Sequence, residues 1–263
     1  MATKIAAQLY TIREHTKTAA DFARSLETIS KIGYRAVQLS AVGCMAGDQP
    51  EVSAAQARSL LDDNGLACIA THRSWDQLVN ATEAEIDFHR AIGCTFAAIG
   101  GLPPAYRQAK AAGYRAFIAD SRPTLLKLKE AGIAFGYHNH AHEFERSGEG
   151  HRTLYDIFLD EADALIKLEV DLYWVDHAGV NPERIAERAR GRMPVIHLKD
   201  KEVVDPDGPV MAAIGEGNLD WAHLIPACEA AGVRWYAVEQ DVCRRDPFDC
   251  LRSSYDFLAG FGL

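Results

Sequence analysis

The sequence has no apolar run approaching the ~18 residues that a membrane-spanning helix needs. It also lacks an excess of basic residues: 28 Lys and Arg stand against 37 Asp and Glu, a formal charge of −9. Neutralising phosphates takes clustered Lys and Arg, so neither a general nucleic-acid partner nor a membrane is expected. The six cysteines, at 44, 68, 94, 228, 243 and 250, form no CxxC and no zinc-ligand spacing. Scattered thiols in an acidic chain of 263 residues read as small buried hydrophobes in a reducing, cytoplasmic setting. The opening MATKIAAQLYTIREH reaches Arg13 and Glu14 before any long apolar core, so it does not read as a secretory signal. No HExxH helix is present, and no Gly-rich phosphate turn follows an early strand as a doubly wound nucleotide-binding sheet requires. No linker or low-complexity stretch divides the chain, which points to a single domain over residues 1–263.

What is present is a period. Six glycines, at 33, 65, 93, 132, 191 and 232, each end a stretch of helical periodicity and precede a short β-branched or aromatic run. Glycine tolerates the left-handed conformation that closes a helix, so each marks a helix feeding a strand. The run KIAAQLY at the start and ALIKLEVDL around 164–172 bring the count to eight strands. The helical segments between and after them are 18–31, 53–63, 82–92, 113–131, 153–161, 181–190, 219–231 and 247–259. Start signals support several: Ser53 before an apolar run, Asn181-Pro182 and Asp246-Pro247. Eight alternating units in a chain of this length predict an α/β fold, a single-domain (β/α)8 TIM barrel.

In such barrels the chemistry sits at the C-terminal strand ends. Those ends carry Gln8 and Tyr10; Gln38 and Ser40; His72 and Arg73; Gly100 and Gly101; His138, Asn139, His140, His142 and Glu143; Glu169 and Asp171; His197, Lys199 and Asp200; Glu239, Gln240 and Asp241. The second half of the chain supplies carboxylates and imidazoles from four consecutive strands. Glu143, Asp171, His197 and Glu239 would form a three-oxygen, one-nitrogen metal site, because a divalent cation offsets the repulsion among converging carboxylates. Mixed carboxylate–imidazole ligation suits one divalent ion, with manganese favoured and magnesium, cobalt or zinc as alternatives. A charged residue at any one strand end, taken alone, reads as solvated rim.

The run Gly136-Tyr137-His138-Asn139-His140-Ala141-His142-Glu143-Phe144, with Asp171-Leu172-Tyr173-Trp174, Val195-Ile196-His197-Leu198-Lys199-Asp200, the Gly215-Glu216-Gly217 turn and Val238-Glu239-Gln240-Asp241, resembles the sugar phosphate isomerase/epimerase family. This is the xylose-isomerase-like barrel group that also includes ketose epimerases, inosose dehydratases and the endonuclease IV type. The resemblance implies a keto-sugar or polyol substrate and an enediolate formed by proton transfer beside its carbonyl. It implies Glu143, Asp171, His197 and Glu239 as metal ligands, with Glu143 and Glu239 also moving protons. It implies a substrate contact from His72, and Trp174, Gln8 and Gln240 at the strand ends are expected to contact substrate as well. Lys199, two residues beyond His197 on one strand face, would neutralise an enediolate or leaving oxygen.

Two positions depart from the epimerase branch: His138 stands where that branch has its ligand glutamate, and Trp174 where it tends to have a histidine. An acid–base set built from His138 and His140 would suit elimination, so a keto-sugar or keto-inositol dehydratase or β-eliminating lyase is the alternative, for example on 3-keto-glycosides. An abasic-site endonuclease is a remote one, and a non-catalytic sugar-binding barrel another. The histidines at 138, 140 and 142 alternate, so a continuing strand would face them one way. Trp75 is expected near the pocket mouth, Trp221 and Trp235 in packing. Oligomeric state is open; barrels of this group often pair as homodimers.

Overall fold

The fold is seen in a computed structural model that describes residues 4–263; residues 1–3 of the expected domain lie outside the described residues. The eight expected strands form one parallel sheet: β1 (Ile5–Gln8), β2 (Ala36–Leu39), β3 (Ala67–His72), β4 (Phe96–Ile99), β5 (Ala134–His138), β6 (Ile166–Glu169), β7 (Val195–Leu198) and a last strand, Trp235–Val238. Between β7 and that last strand the chain inserts an antiparallel hairpin, β8 (Asp200–Val204) and β9 (Gly208–Ala212), which makes the last barrel strand β10. The strand order is β6-β5-β4-β3-β2-β1-β10-β7. A parallel bridge between Asp171 and His197, just past the end of β6, brings the two ends of the sheet together. The eight parallel strands thus make a nearly closed (β/α)8 barrel.

The eight expected helices are found at Ala19–Ile32, Ala54–Asp63, Thr82–Ile92, Lys110–Glu130, Leu154–Glu161, Pro182–Arg188, Trp221–Ala231 and Pro247–Ala259. Their start signals work as local chemistry. Ser53 and Gln56 form a reciprocal capping box, and the Asp246 carboxylate accepts from the amides of Phe248 and Asp249. Gly93 takes the left-handed conformation, φ +73°, and closes its helix through its own amide. Short helices Trp75–Asn80, Pro104–Gln108 and Leu172–His177 were not expected; each sits in a loop on the strand-end side.

Side chains alternate along every strand. The outward set (Ile5, Val37, Phe135, Leu168, Ile196, Tyr236) packs under the helices in the large apolar core. The cluster at the lower end is mostly small: Ala6, Ala36, Ala70, Ala98, Val195 and Ala237, with Ile69 the one larger aliphatic, pack with Phe96. Gly136 fits there because a Cβ on it would stand 2.5 Å from Phe96 Cζ. One aromatic ring therefore fills a barrel lined by alanines, and the strands close tightly around it. Truncating it should leave a cavity that the backbone cannot collapse into. Phe96→Ala is expected to lower stability by about 3–5 kcal/mol in urea unfolding; an unchanged midpoint would show that the ring is not the plug of the barrel.

Candidate metal centre and its pocket

One turn of the alternation above the alanine layer, seven of the eight strands present a polar side chain: Gln8, Gln38, His72, His138, Glu169, His197 and Glu239. All but His72 are buried. Six of them join in one hydrogen-bonded row. Gln8 Nε2 donates to Glu239 Oε1 at 2.8 Å. His197 Nδ1 meets Glu239 Oε2 at 2.7 Å, and its Nε2 meets Gln38 Oε1 at 2.8 Å. Gln38 Nε2 donates to Glu169 Oε1 at 2.9 Å, and Glu169 Oε2 meets His72 Nε2 at 2.5 Å.

The row fixes protonation. Glu169 only accepts, so the Gln38 amide turns its nitrogen to Glu169 and its oxygen to His197. His197 then donates from both nitrogens. Burial opposes that charge, but Glu169 and Glu239 outweigh it and raise the His197 pKa to about 10. Burial also pushes the Glu169 carboxyl up, and His197 and His72 overcome it, bringing the value down to about 2.

Above the row, Lys199 is buried with its Nζ 2.9 Å from Glu239 Oε2, 3.0 Å from Asp241 Oδ1 and 3.1 Å from Asp171 Oδ2. Asp171 caps the helix Leu172–His177: its Oδ1 accepts from the Trp174 amide at 3.0 Å, which leaves Oδ2 with no hydrogen bond. Burial raises its pKa to about 6 against the pull of Lys199 and His197. His138 is fully buried; Nδ1 has no hydrogen-bond partner and lies 3.6 Å from Glu169 Oε2, while Nε2 lies 4.0 Å from Asp171 Oδ2. Burial and the neighbouring His197 and His72 hold its pKa well below the usual imidazole range, so the ring is neutral.

The expected ligand set is only partly brought together. Asp171, His197 and Glu239 converge, and the fourth member of their group is His138, with one donor atom from each within 4.8 Å of the others. Glu143 is elsewhere. Strand β5 stops at His138, and the chain turns into a short 3-10 helix at His142–Phe144. The alternation expected through His140 and His142 breaks there. Glu143 is carried to the outer side of β5, where its Oε1 accepts from the Tyr137 hydroxyl at 2.7 Å and its Oε2 from the His140 amide at 2.8 Å. It lies in a separate group with His140 and His142.

The other expected residues divide. His72, His138, His140, Lys199 and Glu239 line one cavity of about 300 Å³ at the barrel mouth, together with Tyr10, Ser40 and Asp241. Trp174 lines an adjoining cavity, 5.6 Å from the His140 ring. Gln8 sits behind Glu239 and orients it. Gln240 is directed away: its Nε2 donates to Val242 O at 3.1 Å, and the side chain borders a different cavity beside the hairpin. Two residues given no role by the sequence reading, Gln38 and Glu169, hold the centre of the row. Their signal was parity, two residues beyond the inward Ala36 and Lys167. Trp221 is buried and donates from Nε1 to Asp200 Oδ2 at 2.7 Å, a packing role as expected.

Residues 26–258 match the family model described as xylose isomerase-like TIM barrel. The chain belongs to that family. A search of curated proteins finds no match. Among solved structures, a sugar phosphate isomerase/epimerase from Parabacteroides distasonis superposes with a TM-score of 0.80 at 20% identity, covering 98% of this chain and 94% of that one. The probable 3-DHS dehydratase of petrobactin synthesis in Bacillus anthracis gives 0.70 at 10% identity, covering 98% and 99%. A family 2 AP endonuclease from Brucella melitensis gives 0.67 at 14% identity, covering 98% and 98%. At these identities the likenesses establish the xylose isomerase-like fold. Proteins named for three different activities share that fold, so the fold alone does not assign the reaction.

Lys199 answers three carboxylates, and removing its charge strands them in a site with little water. Lys199→Met is expected to destabilise the metal-free protein by about 3–5 kcal/mol in urea unfolding; a change under about 1 kcal/mol would mean that the ammonium is not what holds Asp171, Glu239 and Asp241 together.

Proposed function

We propose that this chain is a divalent-metal-dependent enzyme that moves a proton beside the carbonyl of a keto-sugar or related polyol, an isomerase or epimerase working through an enediolate. The observation that carries the reading is the convergence of His138, Asp171, His197 and Glu239 at the strand ends, where Asp171 Oδ2 has the Lys199 ammonium at 3.1 Å but no hydrogen bond and the buried His138 Nδ1 has no hydrogen-bond partner.

The residues fit a divalent cation on two counts. Four buried or mostly buried carboxylates, Glu169, Asp171, Glu239 and Asp241, face one ammonium and one imidazolium, so two negative charges are unbalanced. The donor set of two imidazoles and two carboxylates suits manganese, cobalt or zinc, with magnesium less favoured than in an all-oxygen site, and His197 would give up one of its two ring protons on binding the ion. When bound, such an ion would polarise the substrate carbonyl and offset charge developing on its oxygen. The chain's own groups do the rest. Lys199 supplies a fixed positive charge beside Glu239. His72, held at Nε2 by Glu169, presents Nδ1 toward the cavity near Ser40 Oγ at 3.4 Å and is the group placed to take a proton. Glu169 positions that imidazole. Tyr10 and His140 border the same space and would bind or reprotonate substrate.

A second reading has its own observation. Glu143 is turned out of the cavity, and the two carboxylates that line it, Glu239 and Asp241, are both paired to Lys199. The groups free to exchange protons there are imidazoles. His72 would take the proton and return it to a leaving oxygen, with His140, which burial holds neutral with a pKa lowered to about 4, beside them; this is β-elimination, the dehydratase or lyase reaction.

The metal set is tested first. Asp171→Asn, Glu239→Gln and His138→Ala should each weaken manganese binding at least about tenfold in calorimetry, whereas Glu143→Gln should keep wild-type affinity. Loss of binding in the glutamate-143 variant, with binding kept in the histidine-138 variant, would restore the three-carboxylate set and refute this one. Metal-loaded protein in D2O should place deuterium beside the carbonyl of a keto-sugar by proton NMR. An intact skeleton identifies an isomerase or epimerase, and an enone with loss of water or of an alcohol identifies a lyase. Full turnover after verified metal removal would overturn the proposal.

A further inference from the structure

The strand-end set has a neighbour. Where β5 gives way to the 3-10 helix His142–Phe144, His140, His142 and Glu143 bring one donor atom each within 4.8 Å of the others. This group shares no member with His138, Asp171, His197 and Glu239. The two groups meet through the rings of His138 and His140, which stand edge to face with centroids 4.9 Å apart. Neither His142 nor Glu143 takes part in the proton transfers at the strand ends.

The local geometry is that of ligands around a missing ion. His142 Nε2 lies 3.1 Å from Glu143 Oε1, yet the two make no hydrogen bond, so the ring nitrogen is not aimed at the oxygen. His140 Nδ1 is likewise buried without a partner. Neither nitrogen is open to water, so the missing partner sits between the side chains and does not come in from a cavity. Tetrahedral zinc, with bonds of about 2.0–2.2 Å, sets its ligands about 3.3–3.6 Å apart. The pair at 3.1 Å is already close to that spacing. The carboxylate is braced as metal ligands are: the Tyr137 hydroxyl donates to Oε1 at 2.7 Å and the His140 amide to Oε2 at 2.8 Å. Each oxygen keeps a second lone pair. Two imidazoles and one carboxylate are the donor set of a zinc site with one open position. Manganese, which suits oxygen-rich ligation, fits this group less well.

We infer that His140 Nδ1, His142 Nε2 and the Glu143 carboxylate hold a zinc ion separate from the strand-end ion. Its fourth position faces the cavity of about 760 Å³ that His140, Ala141 and His142 line, and takes water or an oxygen ligand there. Gly101, across that cavity, has no side chain to close the position; a Cβ on it would stand 3.9 Å from His140 Nδ1. The site does not depend on what the strand-end centre binds or does.

The test counts zinc. The metal-free full chain and the variants His142→Ala, Glu143→Gln and Asp171→Asn are dialysed against a free zinc level just sufficient to saturate the wild type, and bound ions are counted by native mass spectrometry. The His142 side chain is 33% exposed, so alanine there removes little packing. Glu143→Gln keeps an acceptor for Tyr137 and loses the charge. The expected result is two zinc ions in the wild type and one in each variant, the second ion binding at least about tenfold more weakly. A count unchanged in both His142→Ala and Glu143→Gln refutes the site. If the wild type binds one ion that only Asp171→Asn loses, the site is refuted and the strand-end reading stands. If it binds one ion that His142→Ala and Glu143→Gln lose and Asp171→Asn keeps, the site stands and the strand-end reading fails. One ion lost in all three variants means a single shared centre and overturns the inference. No zinc in the wild type overturns both.

Discussion

The row of hydrogen bonds from Gln8 through Glu239, His197, Gln38 and Glu169 to His72 sets the order of everything else at the mouth of this barrel. Burying an ion without partners costs several kcal/mol, so each group in the row has one orientation that keeps its neighbours satisfied. The carboxylate of Glu169 dictates the turn of the Gln38 amide. That amide dictates the protonation of His197, and Gln8 pins Glu239 from the other end. A single amide flip would leave two acceptors or two donors facing each other. The row is also placed by topology, because each member comes from a different strand. Closing the barrel and assembling the centre are therefore one event.

The layer below makes this possible. Alanines on most strands and one phenylalanine ring fill the lower barrel, so the strands approach closely enough for side chains of modest length to meet across the mouth. Above the row, Lys199 and Asp171 extend the same logic with less complete satisfaction. The ammonium is shared by three carboxylates, Asp171 Oδ2 among them without a hydrogen bond, and His138 Nδ1 is left over. Where a buried network is incomplete, a ligand is the usual completion, and His138, Asp171, His197 and Glu239 each bring one donor atom within 4.8 Å of the others.

The eight strands and eight helices were legible in the sequence because glycine stops and apolar periodicity act within single segments. The hairpin at Asp200–Ala212 was not, since its strands are short and half exposed and carry no alternation that marks a buried face. At the site, Asp171, His197, Glu239, Lys199 and His72 were found by asking what stands at strand ends. Glu143 was placed by its position just beyond β5 and by the family resemblance, although alternation through His138, His140 and His142 would turn residue 143 to the other face. The Tyr137 hydroxyl and the His140 amide instead draw the carboxylate to the outer face, a local hydrogen-bond competition that spacing does not reveal. Gln38 and Glu169 stood at the right parity, but a glutamine and a glutamate gain meaning only when the strands that carry them are brought side by side.

The measurement that bears most directly on this account counts imidazoles on the ion. Pulsed electron paramagnetic resonance of the manganese-loaded protein, labelled with 15N-histidine, reads each directly coordinated ring as a resolved nitrogen coupling. Ligation by His138, Asp171, His197 and Glu239 predicts two such couplings in the wild type and one in His138→Ala. A single coupling in the wild type, unchanged by that substitution, would contradict the histidine-138 ligand and with it the role given to the unpartnered atoms at the barrel mouth.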